Sequence, residues 1–352
     1  VLLNAGDGTY MDSPAEASMA NQCWNQLAWG TALALAAQRA GRTTTLWSRR
    51  PDQAETMRRT RENADYLPGI ALPPGLTVTS DPAEAISGAD ALLLVIPAQH
   101  MRGALAAFDI PAGIPLISAA KGVELSTDKT MSAVLQELFS NNPAAVLSGP
   151  SFANETAAGK PTAVTLAAAD RKLALQLVEA LNAGTFRPYA STDVAGTEVG
   201  GAVKNVLAIA AGIISGMGMG ENARAALITR GLAEATRFAV ALGGRADTLM
   251  GLSGIGDLML SCSSTSSRNF SLGKRLGAGE RLEDILGSSH SVVEGVYTAA
   301  ALIRRARALS VEMPIAEGVD AVLNHGTDLG TVVQELLSRP IGWEAPASKP
   351  SA

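Results

Sequence analysis

Lys204 stands at the start of the longest apolar run in the chain. It lies in Gly200-Gly201-Ala202-Val203-Lys204-Asn205, and Val206 to Met219 is almost wholly apolar and small. An ammonium beside a core either snorkels to water or sits in a polar cleft, and a desolvated lysine can trade protons near neutrality. That is the requirement for a general acid or base. A lysine that marks a solvated helix start fits the same segment. Asp257, in Gly254-Ile255-Gly256-Asp257-Leu258, is a lone carboxylate between glycines and apolar residues. If buried it wants a cation, and Lys204 is the candidate; the other reading is a turn aspartate.

Further groups with chemical potential sit where predicted strands end. Ser118-Ala119-Ala120-Lys121-Gly122 closes one apolar run, and Ser148-Gly149-Pro150-Ser151-Phe152-Ala153 closes the next. Ligands of open α/β sheets bind beyond the carboxyl ends of strands, so Lys121, Gly149 and Ser151 are site candidates. Turn chemistry alone also explains Gly149-Pro150. Ser266-Ser267-Arg268-Asn269 precedes a helical pattern, and hydroxyls, a guanidinium and an amide at a helix start can cradle a phosphate. A Ser-rich mobile loop is the competing reading.

The elements that must hold these groups follow from periodicity. Thr31 to Ala40 reads as a helix closed by Gly41, and Thr43 to Trp47 as a strand. Asp81 caps a short helix to Ser87. Ala91 to Ile96, Pro115 to Ala119 and Ala144 to Ser148 are continuous apolar runs, the pattern of strands buried on both faces. After about Val199 strand signals vanish. Helical patterns cover Lys204 to Gly243, Leu282 to Leu286, Val293 to Leu309 and Gly318 to Asn324. The expected fold is therefore α/β, a Rossmann-type doubly wound sheet followed by an all-α C-terminal domain. The expected division is a flexible extension over 1–20, a dinucleotide-binding domain over 21–199, a helical substrate domain over 200–343 and a disordered tail over 344–352.

Of a G-x-G-x-x-G fingerprint placed before the first helix only Gly30 stands, because Asn25 and Leu27 replace the first two glycines. The second strand runs into Ser48-Arg49-Arg50, where NAD-specific folds carry an acid. Arginines there either pair with a 2′-phosphate or lie on the surface.

Composition narrows the function classes. The 352 residues are 47% hydrophobic and 17% charged, which suits a globular chain long enough for two cores. A net charge of −5 and 4% aromatics argue against nucleic acid as partner. Cys23 and Cys262 are far apart and His100, His290 and His325 are scattered, so neither a disulfide framework nor a metal site is expected. The apolar run after Lys204 is too short to span a bilayer, and no signal-peptide pattern opens the chain. Stable membrane insertion is not expected, and the cytoplasm is the expected location.

Taken together, these segments resemble the bacterial NAD(P)-dependent glycerol-3-phosphate dehydrogenase family. The carrying pieces are AWGTALA at 28–34, SAAKG at 118–122, LSGPSFA at 147–153 and GGAVKNVLAIAAGI at 200–213. NARAALITRGLAE at 222–234, GDL at 256–258, SSRN at 266–269, VVEGV at 292–296 and VEMPI at 311–315 follow in family order. The resemblance covers about Ala28 to Pro340. It implies reduction of dihydroxyacetone phosphate to sn-glycerol 3-phosphate by NADPH or NADH, for glycerophospholipid synthesis. It makes Lys204 the proton donor, Asp257 its charge-balancing partner and Lys121 a substrate-holding lysine at the catalytic centre. Gly149, Ser151, Ser267, Arg268 and Asn269 match substrate positions. Ala28, Trp29, Gly30, Arg49, Arg50, Lys121, Ala153, Arg268, Val292 and Glu294 match cofactor positions. A homodimer is expected from the apolar faces of the helical domain.

The departure from the family lies at Asn25 and Leu27. Read as loop positions, Asn25 tolerates the left-handed backbone, but Leu27 puts a side chain where pyrophosphate must pass. The alternative function is accordingly a catalytically silent homologue with weakened cofactor binding. A dehydrogenase of another 2- or 3-hydroxy acid is disfavoured by the SSRN segment.

Overall fold

The computed structural model describes residues 2–4, 24–106, 108–288 and 294–340. Its first part alternates strands and helices: β1 (Leu2–Asn4), α1 (Trp24–Arg39), β2 (Thr44–Ser48), α2 (Pro51–Thr60), β3 (Leu76–Thr79), α3 (Pro82–Ile86) and β4 (Leu92–Leu94). A 3₁₀ turn at Ala98–His100 leads to α4 (Met101–Leu105), β5 (Leu116–Ser118) and the hairpin β6 (Val123–Glu124) and β7 (Lys129–Thr130). Then come α5 (Met131–Leu138), β8 (Ala144–Ser148), α6 (Ala153–Ala157), β9 (Thr162–Ala168), α7 (Arg171–Leu181) and β10 (Phe186–Ser191).

Among the described residues one eight-stranded sheet runs β10-β9-β8-β5-β4-β1-β2-β3. Leu92 to Ile96 and Leu116 to Ser118 are buried throughout, as continuous apolar runs require of strands covered on both faces. Neighbours pair in parallel except β8 and β9, which are antiparallel. The doubly wound expectation thus stands with one inverted connection. Asp81 caps α3 by accepting from the Ala83 N–H at 2.9 Å.

Two expectations for the N-terminal residues need correction. Leu2–Asn4, expected in a flexible extension, form β1 in the slot between β2 and β4, with Leu3 opposite Trp47 and Leu94. Three residues carry no period, so only the sheet reveals them as a strand. Asn25 and Leu27 fall inside α1 rather than in a loop before it. Residues 5–23 lie outside the described residues, as does the expected tail over 344–352.

The second part is helical: α8 (Val194–Gly216), α9 (Glu221–Ala241), α10 (Ala246–Leu249) and a π turn at Leu252–Gly256. It continues through α11 (Asp257–Ser263), α12 (Arg268–Gly277), α13 (Leu282–Ser288), α14 (Glu294–Ala308), α15 (Pro314–His325) and α16 (Leu329–Leu337). The division expected at 199/200 falls inside α8, because Gly200-Gly201 does not break the helix. A Cβ on Gly200 would stand 2.1 Å from the Ser253 carbonyl oxygen, so the glycine marks a close approach of helix and π turn. Lys204 therefore lies well inside a helix, not at its mouth.

α8 is long and apolar enough by composition to cross a membrane, yet 83% of that stretch is buried inside the protein. Val206, Leu207, Ile209 and Ile213 anchor the helical core, each worth about 1.5–3 kcal/mol of burial. α12 crosses α8 at backbone contact: a Cβ on Gly212 would meet the Phe270 oxygen at 2.1 Å, and one on Gly273 the Ile209 oxygen at 2.0 Å. That crossing sets the start of α12 beside Asn205, and so positions Ser267, Arg268 and Asn269.

Candidate active site

β5 and β8 are sheet neighbours, so the segments beyond their carboxyl ends, carrying Lys121 and Gly149 to Ala153, emerge side by side. Opposite them stand α8 with Lys204, the start of α11 with Asp257, and the start of α12. Between the two parts opens a cleft of about 360 Å³.

The centre of the cleft is a carboxylate shared by two ammoniums. Lys204 Nζ donates to Asp257 Oδ1 at 2.8 Å and to Ser261 Oγ at 2.8 Å. Lys121 Nζ donates to Asp257 Oδ2 at 2.6 Å and to the Gly149 carbonyl at 3.0 Å. Asp257 is 1% exposed and the lysines 14% and 12%, so the cluster is largely withdrawn from water. Burial pushes the Lys121 ammonium down to about 8; Asp257 opposes that shift and Lys204 adds to it. Burial favours the neutral form of Asp257, but the Lys121 and Lys204 charges outweigh it and hold the carboxyl below the usual range.

A chain of amides ties this centre to the neighbouring elements. Asn205 Nδ2 donates to the Lys121 carbonyl at 3.3 Å, and Asn269 Nδ2 donates to Asn205 Oδ1 at 3.0 Å. The Gly295 N–H donates to Asn269 Oδ1 at 3.1 Å. A backbone acceptor at one end and a backbone donor at the other fix both amide orientations. Ser267 caps α12 by accepting from the Phe270 N–H. Burial lowers the Arg268 guanidinium, and the Glu294 carboxylate offsets part of that effect.

The cleft brings together Ala28, Trp29, Lys121, Ser151, Ala153, Lys204, Asp257, Ser267, Arg268, Asn269 and Glu294. Gly149 contributes its carbonyl from behind Lys121. Gly30 lies within α1 and does not line the cleft. Neither do Arg49 and Arg50. Arg49 is exposed past β2, and the Arg50 guanidinium pairs with Asp52 at 2.5 Å, so Arg50 is an ion-paired helix-start residue. Val292 lies outside the described residues. The sequence reading missed Tyr66, Leu67, Asn154, Asn205 and Ser261, which also line the cleft. Ser261 could have been found from Asp257, since residues four apart share a helix face. Tyr66 carries no such signal, because a loop brings it there.

Two family models match the chain. The model for the N-terminus of NAD-dependent glycerol-3-phosphate dehydrogenase covers residues 28–174, and that for its C-terminus covers 193–334. The chain belongs to the NAD-dependent glycerol-3-phosphate dehydrogenase family. Among relatives, it is 54% identical to the glycerol-3-phosphate dehydrogenase [NAD(P)+] of Rhodospirillum rubrum over 90% of this chain and 91% of that protein. It is 52% identical to the enzyme of that name from Parvibaculum lavamentivorans, over 90% and 96%. The crystal structure of glycerol-3-phosphate dehydrogenase from Coxiella burnetii superposes with a TM-score of 0.85 at 35% identity, covering 96% of this chain and 98% of that one.

The cleft suits the dinucleotide of this glycerol-3-phosphate dehydrogenase family. Among the described residues the Trp29 indole N–H is buried with no hydrogen-bond partner, a donor at the cleft wall that a bound group can use. Lys121 and Arg268 add the cationic donors that an anionic cofactor needs. The crevice lies beyond strand ends, the place where dinucleotides bind in open α/β sheets.

Proposed function

We propose that this chain reduces dihydroxyacetone phosphate to sn-glycerol 3-phosphate with NADPH or NADH, supplying glycerophospholipid synthesis. The observation that carries the reading is the Asp257 carboxylate held between Lys121 and Lys204, one lysine from each part of the fold.

Bound NADPH or NADH supplies the hydride that reaches the carbonyl carbon. As it arrives, charge develops on the carbonyl oxygen. The Lys204 ammonium donates a hydrogen bond to that oxygen, stabilises the charge and then gives up its proton. In the reverse direction Lys204 takes the proton back. Asp257 orients the lysine and balances its charge, and Lys121 holds the substrate from the sheet side. The phosphate rests at the start of α12, against Ser267, Arg268 and Asn269, with Gly149 and Ser151 completing the substrate site. Ala28, Trp29, Lys121, Ala153, Arg268 and Glu294 would hold the cofactor. Arg49, exposed at the end of β2, would pair with a 2′-phosphate.

A silent homologue is the weaker reading. The residues required for proton transfer are all present and mutually bonded. Both parts of the fold contribute to each ligand site, the sheet part mainly to the cofactor and the helical part mainly to the substrate, with the division near residues 199/200. The same reading puts the protein in the cytoplasm as a homodimer, and sedimentation of the purified chain tests the homodimer. The decisive assay follows NADPH absorbance when dihydroxyacetone phosphate is added. Loss of absorbance that depends on both reactants supports the reaction, and none under any condition that preserves the fold rejects it.

A further inference from the structure

We infer that Gln99 is a positioning residue for Lys121, acting through the hairpin β6–β7 that directly follows the lysine; the inference rests on the reaction proposed above. β5 ends at Ser118, so Lys121 rides on a connector without strand pairing. A side chain pairs with the backbone at the far end of that connector. Gln99, in the 3₁₀ turn behind β4, mates its amide with the β6 backbone as a neighbouring strand would. Its Nε2 donates to the Val123 carbonyl at 2.8 Å, and the Leu125 N–H donates to its Oε1 at 2.8 Å. One donor and one acceptor are both required, so neither an apolar side chain nor a carboxylate satisfies the pair.

Neighbouring contacts show how tightly this joint is made. A Cβ on Gly122 would stand 2.9 Å from the Ala98 Cβ, so the connector passes against the 3₁₀ turn at close range. Arg102 makes a two-pronged pair with Glu124, between the two residues that Gln99 holds. From the helical side, Arg304 donates to the Leu125 carbonyl at 2.7 Å and to both oxygens of Asp128. Val123 packs on Ala202 and Ala301. The hairpin is thus gripped from both parts of the fold, with Lys121 at its root. Gln99 and Lys121 both line a small cavity of about 10 Å³, together with Gly122, Glu294 and Thr298.

The test compares kcat, KM and the titration of Lys121 in the full chain. Lys121 is followed by NMR after reductive ¹³C-methylation and assigned with Lys121→Arg. Gln99→Leu keeps comparable bulk, one bond shorter, and removes both polar atoms; kcat is expected to fall roughly 10- to 100-fold while KM for NADPH stays within about twofold. The Lys121 titration should move up toward that of a solvated lysine. Gln99→Glu keeps an acceptor for Leu125 but sets a carboxylate against the Val123 carbonyl. Protonation restores the donor, so its kcat relative to wild type should climb as pH falls through the carboxyl range.

Wild-type kcat and titration in Gln99→Leu overturn the inference, as does a pH-independent ratio in Gln99→Glu. If Gln99→Leu fails to fold, the Gln99→Glu profile decides. A wild-type chain that does not reduce dihydroxyacetone phosphate, yet whose Lys121 titration responds to Gln99→Leu, overturns the reaction and leaves the positioning role standing.

Discussion

Lys204, within α8, and Lys121, behind β5, take opposite oxygens of one carboxylate, Asp257, at 2.8 and 2.6 Å. Each lysine is thereby aimed by the same group, and the two parts of the fold meet at a charge that neither can move without the other. Replacing Asp257 by Asn leaves two buried ammoniums facing each other. Breaking one member of a buried ion pair costs about 3–5 kcal/mol. Asp257→Asn should therefore lower both turnover and the midpoint of urea unfolding. A variant with wild-type values of both would show that the carboxylate neither orients nor balances the lysines.

Lys204→Ala removes the acid while leaving Lys121 on Asp257. Turnover should fall roughly 10²- to 10⁴-fold, the usual worth of a positioned proton donor. Steady-state rates with saturating dihydroxyacetone phosphate measure it, and near-native turnover would exclude Lys204 as the acid.

Lys121 gives stability a distinct pH dependence. Its folded-state value, near 8, lies below that of an unfolded lysine at roughly 10.4. Between those values the unfolded chain binds more protons, so this group's contribution to stability rises with pH across that window. Lys121→Met should abolish that rise. Chemical unfolding at pH 7.5, 9 and 10.5 is the measurement, and an unchanged slope in the variant would refute the assignment.

Glu234 acts in the opposite sense. Burial pushes it up to about 7 although it accepts from the Ile315 and Ala316 N–H groups at the start of α15. Arg237 pulls the value down and Glu317 pushes it up. The folded chain holds this proton more tightly than the unfolded one, where the value is roughly 4.3. Its contribution to stability is thus greatest at low pH and declines as pH rises toward 7. In Glu234→Gln that decline should disappear from the pH dependence of the unfolding midpoint.

Arg49, exposed past β2 and free of the ion pair that occupies Arg50, is expected to favour NADPH. A charged hydrogen bond to the 2′-phosphate contributes about 1.5–3 kcal/mol. Arg49→Ala should weaken NADPH binding by that amount and leave NADH nearly unchanged. Titration calorimetry with both cofactors at one ionic strength decides it, equal losses for the two being the contrary result.

Much of the architecture was legible along the chain. The run Ala144 to Ser148 reads as a strand with the bounds it has in the fold, because a strand buried on both faces is continuously apolar, as Ala144 to Leu147 are. Lys121, Lys204 and Asp257 were legible as chemistry, since charged groups set against apolar or glycine-rich segments are costly unless used. β1 was not legible, nor were the antiparallel pairing of β8 with β9 and the place of Tyr66 in the cleft. Each depends on partners remote in sequence. Asn25 and Leu27 misled for the same reason: their spacing from Gly30 imitates a loop that the helix α1 replaces.

Gly200-Gly201 shows most plainly where the division falls. By itself the sequence determined which residues carry charge into apolar surroundings, which runs form buried strands, and that an α/β part precedes a helical one, because these depend on side-chain type and period. Only the tertiary structure decided that two adjacent glycines continue a helix rather than end it, that Lys204 lies inside that helix, and that one carboxylate serves both lysines. Those outcomes follow from how closely backbones approach. A Cβ on Gly201 would stand 2.7 Å from Ser148 Oγ and 3.4 Å from Lys121 Cγ, distances set by packing between segments that periodicity treats as unrelated.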